Sequence, residues 1–331
     1  MSKIQAMLVF AAGLLIFVAP DVGRAADCQL TRVASLDMTF TPEGRILVPV
    51  TINGTPEKMM IDTGAPATTL DPNVANDLGV IEQRIYQGFV FNSRGHQFQQ
   101  MTVIHSLGLD QSHASELRAL ISPDPLSHKK SFAGLLGADL LRHYDLEFDF
   151  AAHKFNLFSQ DHCEGKVIYW PADAVAVVPL HIIATAQIEL PVQLDGKDLL
   201  AMFDTGADDT YLDAKVAANV FNLKPGTADL KLVNTTTDGH GIYLHTFATL
   251  GFDGIAIGHP DVYLFEELGQ QAAESSNLLG SRLGDVSPEF GDVPLLLGMK
   301  EMQHFHIFLS YKEQKLYLTP ATPPAPPPAA H

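Results

Sequence analysis

Hydrophobic and polar positions along this chain follow two similar courses. In the first, apolar residues alternate or run together from Arg45 to Ile52, Asn53-Gly54 interrupts them, and Lys58 to Ile61 resumes the pattern up to Asp62. That order predicts a strand, a tight hairpin turn and a buried second strand that delivers Asp62 onto a loop. In the second course, Ile188 to Phe203 repeats the pattern around Asp195-Gly196 and leads to Asp204. After each aspartate, Asp71-Pro72 and Asp213 have the composition of helix starts, with Val74 and Leu78, or Val216 and Val220, one turn apart on a buried face. Turn-centred segments come next, Phe89 to Gln99 around Ser93-Arg94-Gly95 and Lys231 to Tyr243 around Asp238 to Gly241. Each course then reaches Leu-Leu-Gly, at Leu135 to Gly137 and at Leu296 to Gly298. Short helices are expected over Ala138 to Tyr144 and Met299 to Phe305, and hairpins over Leu146 to Phe158 and Ile307 to Leu318.

The similarity extends to residue identities. Asp62-Thr63-Gly64-Ala65 and Asp204-Thr205-Gly206-Ala207 lie 142 positions apart. The same slide superimposes Val48-Pro49-Val50 on Leu190-Pro191-Val192 and Asp71 on Asp213 without a gap. Later landmarks are offset further, so the second half carries about 19 extra residues, most of them placed between Phe265 and Pro294. Two copies at so long a period describe a duplicated domain rather than a stacked array.

Composition narrows the setting. The 331 residues are 46% hydrophobic and 18% charged, which suits a globular protein. A formal net charge of −17 argues against nucleic acid or an anionic membrane surface as partner. Residues 1–25 read as a signal peptide, with Lys3, an apolar run from Ala6 to Val18, and Gly23 and Ala25 before the cut; an uncleaved anchor is the alternative. The expected location is periplasmic or secreted, with no stable membrane insertion once the signal is removed. There Cys28 and Cys163 form the only possible intrachain disulfide, two free thiols being the alternative. The 14 scattered histidines show no ligand spacing, so no metal site is expected. Residues 159–185 read as a linker and 320–331 as a Pro/Ala-rich tail.

The stretch Asp204-Thr205-Gly206-Ala207-Asp208-Asp209-Thr210-Tyr211, with the later Leu-Leu-Gly segments, resembles the retropepsin-type aspartic proteases. The resemblance implies an all-β fold with short helices, a duplicated retropepsin-like acid-protease fold with two lobes, 26–158 and 186–319, about a pseudo-twofold cleft. It implies an aspartic endopeptidase acting on a peptide or protein substrate, without cofactor, as a monomer with an internal pseudo-dimer. Asp62 and Asp204 would be the catalytic pair. Thr63, Gly64, Thr205 and Gly206 would support it, the threonines by bonding across the axis. Ala65, Ala207, Asp208 and Asp209, with the flap glycines Gly95 and Gly239, would line the substrate; Asp208 and Asp209 as turn residues are the alternative. The alanines stand where pepsin-like enzymes carry Ser or Thr, implying a less acidic working range than pepsin's. The retroviral pattern has Arg after the Leu-Leu-Gly glycine, paired with the first Asp after Ala; here Ala138 and Met299 take that place. A catalytically idle protease-fold binding module, a dimer pairing Asp62 with Asp62, and a two-carboxylate glycosidase are the rival readings.

Overall fold

The fold was analysed in a computed structural model, which describes residues 29–85, 97–126, 131–235, 241–265 and 293–321. These residues are mainly β, with short helices, and form two sheets of similar plan joined by a third.

In each half, the strand that delivers an aspartate is made in the same way. Ile46–Ile52 turns through Asn53 and Gly54, both at positive φ, into Thr55–Ile61; Ile188–Leu194 turns through Asp195 and Gly196, also at positive φ, into Lys197–Phe203. Two consecutive left-handed residues match the twist of a two-residue hairpin, which explains Asn-Gly and Asp-Gly at these corners. The delivering strand then runs parallel to the Leu-Leu strand, Met60 opposite Leu135 and Met202 opposite Leu296. Across its other edge the Leu-Leu strand pairs antiparallel with Thr69–Leu70 or Thr210–Asp213, the strand that leaves the aspartate loop. Both arms of each loop are therefore clamped by one buried strand. The glycine after Leu-Leu is where that strand passes beneath the loop: a Cβ on Gly137 would lie 2.5 Å from the Ala67 carbonyl carbon, and one on Gly298 would overlap the Asp209 carbonyl. Only glycine lets the two backbones approach so closely.

The halves meet in a six-stranded sheet, in the order Arg32–Asp37, Lys154–Phe158, Asp145–Asp149, Phe305–Ser310, Lys315–Pro320 and Ala176–Pro179. The seam is the antiparallel pairing of Asp145–Asp149 with Phe305–Ser310, Phe148 opposite Ile307. Buried Phe148 stands 6.3 Å from Phe203, ring centre to ring centre, so the core is continuous from the seam to the strand before Asp204.

The helix starts are capped as their sequences dictate: Asp71 accepts the backbone N–H groups of Asn73 and Val74, and Asp213 those of Lys215 and Val216. Four details depart from the sequence reading. The helices after Leu-Leu-Gly are the single turns Ala138–Leu141 and Met299–Met302; the second stops short of Phe305, which already pairs with Pro320 in the strand that follows. In Ala214–Val220, Ala217 is buried and Val216 packs half-buried against the core as expected, while Val220 is exposed; the chain turns at Asn222, with positive φ, and buries Leu223 instead. The segment 159–185 is more than a linker: it supplies the edge strand Ala176–Pro179 and packs Val167 and Trp170 over Phe158, Phe308 and Tyr317. Pro320, assigned to the tail, closes the last strand.

Candidate active site

The two aspartate loops approach each other at the centre of the molecule. A Cβ on Gly64 would collide with the carboxyl of Asp204, and a Cβ on Gly206 with that of Asp62, so each carboxyl rests on the other loop's glycine. Asp62 is 9% exposed. Each carboxyl also takes one backbone N–H from its own loop, Ala65 N–H to Asp62 Oδ1 and Gly206 N–H to Asp204 Oδ1, both at 2.8 Å.

Beneath the carboxyls the threonines lock the loops together. Thr63 N–H donates to Thr205 Oγ1 and Thr205 N–H to Thr63 Oγ1, each at 3.1 Å. Each hydroxyl donates in turn across the axis, Thr63 to the Phe203 carbonyl at 2.7 Å and Thr205 to the Ile61 carbonyl at 2.9 Å. Both residues are fully buried, where an unpaired N–H or C=O would be costly, so the four bonds fix the loops' relative position. A second tier supports each loop from below. Thr68 Oγ1 donates to Asp139 and Thr210 Oγ1 to Glu301, while both hydroxyls accept the N–H of the crossing glycine, Gly137 or Gly298.

Burial and the neighbouring Asp204 push the Asp62 carboxyl well above the usual carboxylate range. Asp204 is also raised by burial, against the Gly206 N–H and a hydrogen bond from the Asp62 carboxyl, which favour its ionised form. Two buried carboxyls in contact do not both ionise readily, so they hold one proton between them. Burial likewise raises Asp139 and Glu301.

These shifts set the direction of the protein's pH response. For all four groups the folded-state value lies above the unfolded one, so between the two the folded chain binds more protons than the unfolded chain. Their contribution to stability is complete below about pH 4 and is lost as pH rises through the raised values. Thermal unfolding at pH 5 and pH 8 should therefore give the lower Tm at pH 8; an equal or higher Tm at pH 8 would contradict the direction of these shifts.

Two family models match the chain in tandem. One, described as gag-polyprotein aspartyl protease, matches residues 48–143; the other, described as aspartyl protease, matches residues 190–283. The chain belongs to the retropepsin-like aspartyl proteases. Each match holds one aspartate loop, so the carboxyl pair draws one member from each tandem domain. The family implies a peptide substrate and supports a peptidase role in general terms. No curated protein matches the chain.

The other residues singled out in the sequence have mixed fates. Ala65 and Ala207 use their carbonyls to accept the N–H groups of Ala138 and Met299 beneath the loops. Asp208 and Asp209 border a recess of about 140 Å³ shared with Glu43, Lys300 and Gln303. Asp208 accepts the Tyr211 hydroxyl at 3.0 Å and faces Arg45 at 3.6 Å; Asp209 faces Lys300 at 3.8 Å. Gly95, Gly239 and Cys28 lie outside the described residues, and Cys163 within them. The arms of the second turn-centred segment, Lys231–Thr235 and Gly241–Thr246, pair antiparallel. Among the described residues no group of His, Cys, Asp and Glu could hold a metal ion, and no helix is long and apolar enough to cross a membrane.

Sequence reasoning missed four contributors, Arg45, Gln187, Thr68 and Thr210. Arg45 and Gln187 stand at matching places just before Ile46 and Ile188, and the two threonines are also one repeat apart. The 142-residue offset carried that signal.

Proposed function

We propose that this chain is an aspartic endopeptidase that hydrolyses peptide bonds with a water activated between Asp62 and Asp204. The observation that carries the reading is the pair of buried carboxyls, each seated on the other loop's glycine above a reciprocal threonine lattice. Such a pair holds one proton, so one member acts as base and the other as acid. The ionised carboxyl takes a proton from water as its oxygen attacks the peptide carbonyl carbon, and the protonated carboxyl gives its proton to the carbonyl oxygen. Collapse of the tetrahedral diol breaks the C–N bond, with a proton passing to the leaving amine and another returning to the pair. The products are a carboxylic acid and an amine, and no covalent enzyme intermediate forms.

In this reading the protein is exported, acts outside the cytoplasm as a monomer with two pseudo-symmetric lobes, and carries a Cys28–Cys163 disulfide. The substrate contacts Asp208 and Asp209. With Ala65 and Ala207 in place of hydroxyl residues, the carboxyls have backbone N–H donors but no side-chain hydroxyl to favour ionisation further, so activity peaks above about pH 3, the lower edge of ordinary carboxyl values. The test is cleavage of a mixed peptide library by the mature protein from acid to neutral pH, with and without pepstatin. Pepstatin-sensitive cutting is the expected result. No cutting by the folded protein at any pH would replace the reading with an idle, peptide-binding module.

A further inference from the structure

The two halves of the site share one plan but differ at several matching positions, and one such pair reaches across the axis. Arg45 and Gln187 stand one repeat apart, each immediately before the first strand of its half, and each reaches across to the opposite aspartate loop. Arg45 brings a cation to the loop of Asp204 through its ion pair with Asp208. Gln187, almost fully buried, brings only an amide, which donates to the Gly64 carbonyl in the loop of Asp62. Position 66, matching Asp208, is proline, so the Asp62 loop has neither the cation nor its acidic partner.

We infer that Arg45 is a positioning residue that breaks the symmetry of the carboxyl pair, placing the shared proton on Asp62 and leaving Asp204 as the carboxylate that receives the proton of the attacking water. The inference rests on the endopeptidase reading for its catalytic consequence but not for the location of the proton. The charged surroundings agree in sign. Facing the Asp204 loop are Arg45 and Glu43 from the opposite half, Asp208 and Asp209 from the loop itself, and Lys300 and Glu301 from the helix beneath it. Asp208 is held by Arg45 and the Tyr211 hydroxyl, while Asp209, 3.8 Å from Lys300, shares that lysine with Asp261 at 3.2 Å, so Arg45 is the cation that offsets Asp208 beside Asp204. Facing the Asp62 loop, apart from Asp204, are half-buried Asp139 and, beyond it, His143. Removing the arginine cation would both withdraw a positive charge from Asp204 and uncover Asp208 beside it. Both changes favour a proton on Asp204. Arg45 is among the charges that lower Asp204, whereas the main influences on Asp62, burial and Asp204, raise it.

In the reaction, Asp204 then takes the water proton while Asp62 gives its proton to the carbonyl oxygen. As the C–N bond breaks, the proton on Asp204 passes to the amine and a diol hydroxyl returns one to Asp62. The peptide therefore lies across the cleft in one direction, with its carbonyl oxygen toward Asp62.

The decisive experiment is carboxyl-carbon NMR of aspartate-labelled protein titrated from pH 3 to 8, with Asp62→Asn and Asp204→Asn supplying the assignments. Asp204 is expected to ionise first in the unaltered chain. In Arg45→Gln its midpoint should rise by roughly half to one pH unit, a charge effect reduced by the pair's partial exposure, and Arg45→Lys should restore it. The acidic limb of kcat/KM should move with it. Asp62 ionising first, or an unmoved Asp204 midpoint in folded Arg45→Gln, would overturn the inference. If Arg45→Gln fails to fold, the order of ionisation in the unaltered chain still decides. Titration as expected in a protein that cuts no peptide would uphold the proton's location and sink the endopeptidase reading alone.

Discussion

Asp62→Asn and Asp204→Asn each lower kcat/KM at least about a thousandfold, the range that removal of a positioned acid or base produces. The amide is nearly isosteric with the carboxyl, so each loop keeps its place on the opposing glycine. What disappears is the shared ionisation: one carboxyl without its partner is no longer obliged to exchange a proton within the pair. Because the two act as a unit, the double variant should be scarcely worse than either single one. Both single variants should also resist heat at pH 8 at least as well as the unaltered chain, since each removes a buried charge that pairs poorly with its neighbour. Peptide cleavage and thermal unfolding of the same preparations test this together. A single variant keeping a tenth of the original activity would rule out one shared pair.

Thr205→Val has its largest effect on stability, destabilising the fold by about 2–5 kcal/mol. Valine matches threonine in shape, so little packing is lost. The hydroxyl, however, is the acceptor for Thr63 N–H and the donor to the Ile61 carbonyl, and both orphaned groups remain in a fully buried setting. Each buried group without a partner costs about 1–3 kcal/mol. Thr63→Val, its counterpart, orphans Thr205 N–H and the Phe203 carbonyl and should cost a similar amount. Adding the second change to the first should do less than double the damage, because the hydroxyls belong to one network. Denaturant unfolding measures all three; a loss under about 0.5 kcal/mol for either single variant would mean the lattice does not hold the loops.

Much of this architecture could be read in the sequence, for identifiable reasons. The hairpins before each aspartate were visible because Asn53-Gly54 and Asp195-Gly196 have few conformational choices between apolar strands. The helix starts were visible because Asp71 and Asp213 cap locally. Leu-Leu-Gly was recognisable as a motif, but its reason, the passage of one backbone beneath another at Gly137 and Gly298, is tertiary. Of the contacts that cross the axis, only the bonding of Thr63 with Thr205 was expected, and that from the resemblance rather than from the residues. Nothing near Asp208 in sequence announces Arg45, which comes from the other half and gives Asp208 the cation that Met299 does not supply. The strand Ala176–Pro179 was hidden because its four residues gain their meaning only as the edge partner of Lys315–Pro320.

The seam between Asp145–Asp149 and Phe305–Ser310 has a consequence in mass action. An enzyme that assembles a carboxyl pair from two identical chains loses it on dilution, once the chains separate. Here both carboxyls belong to one polypeptide whose halves share a sheet, so each faces a partner at an effective concentration set by the fold. For the monomer proposed above, the fraction of molecules with a complete pair should be independent of how much protein is present, and activity per molecule across a dilution series checks it.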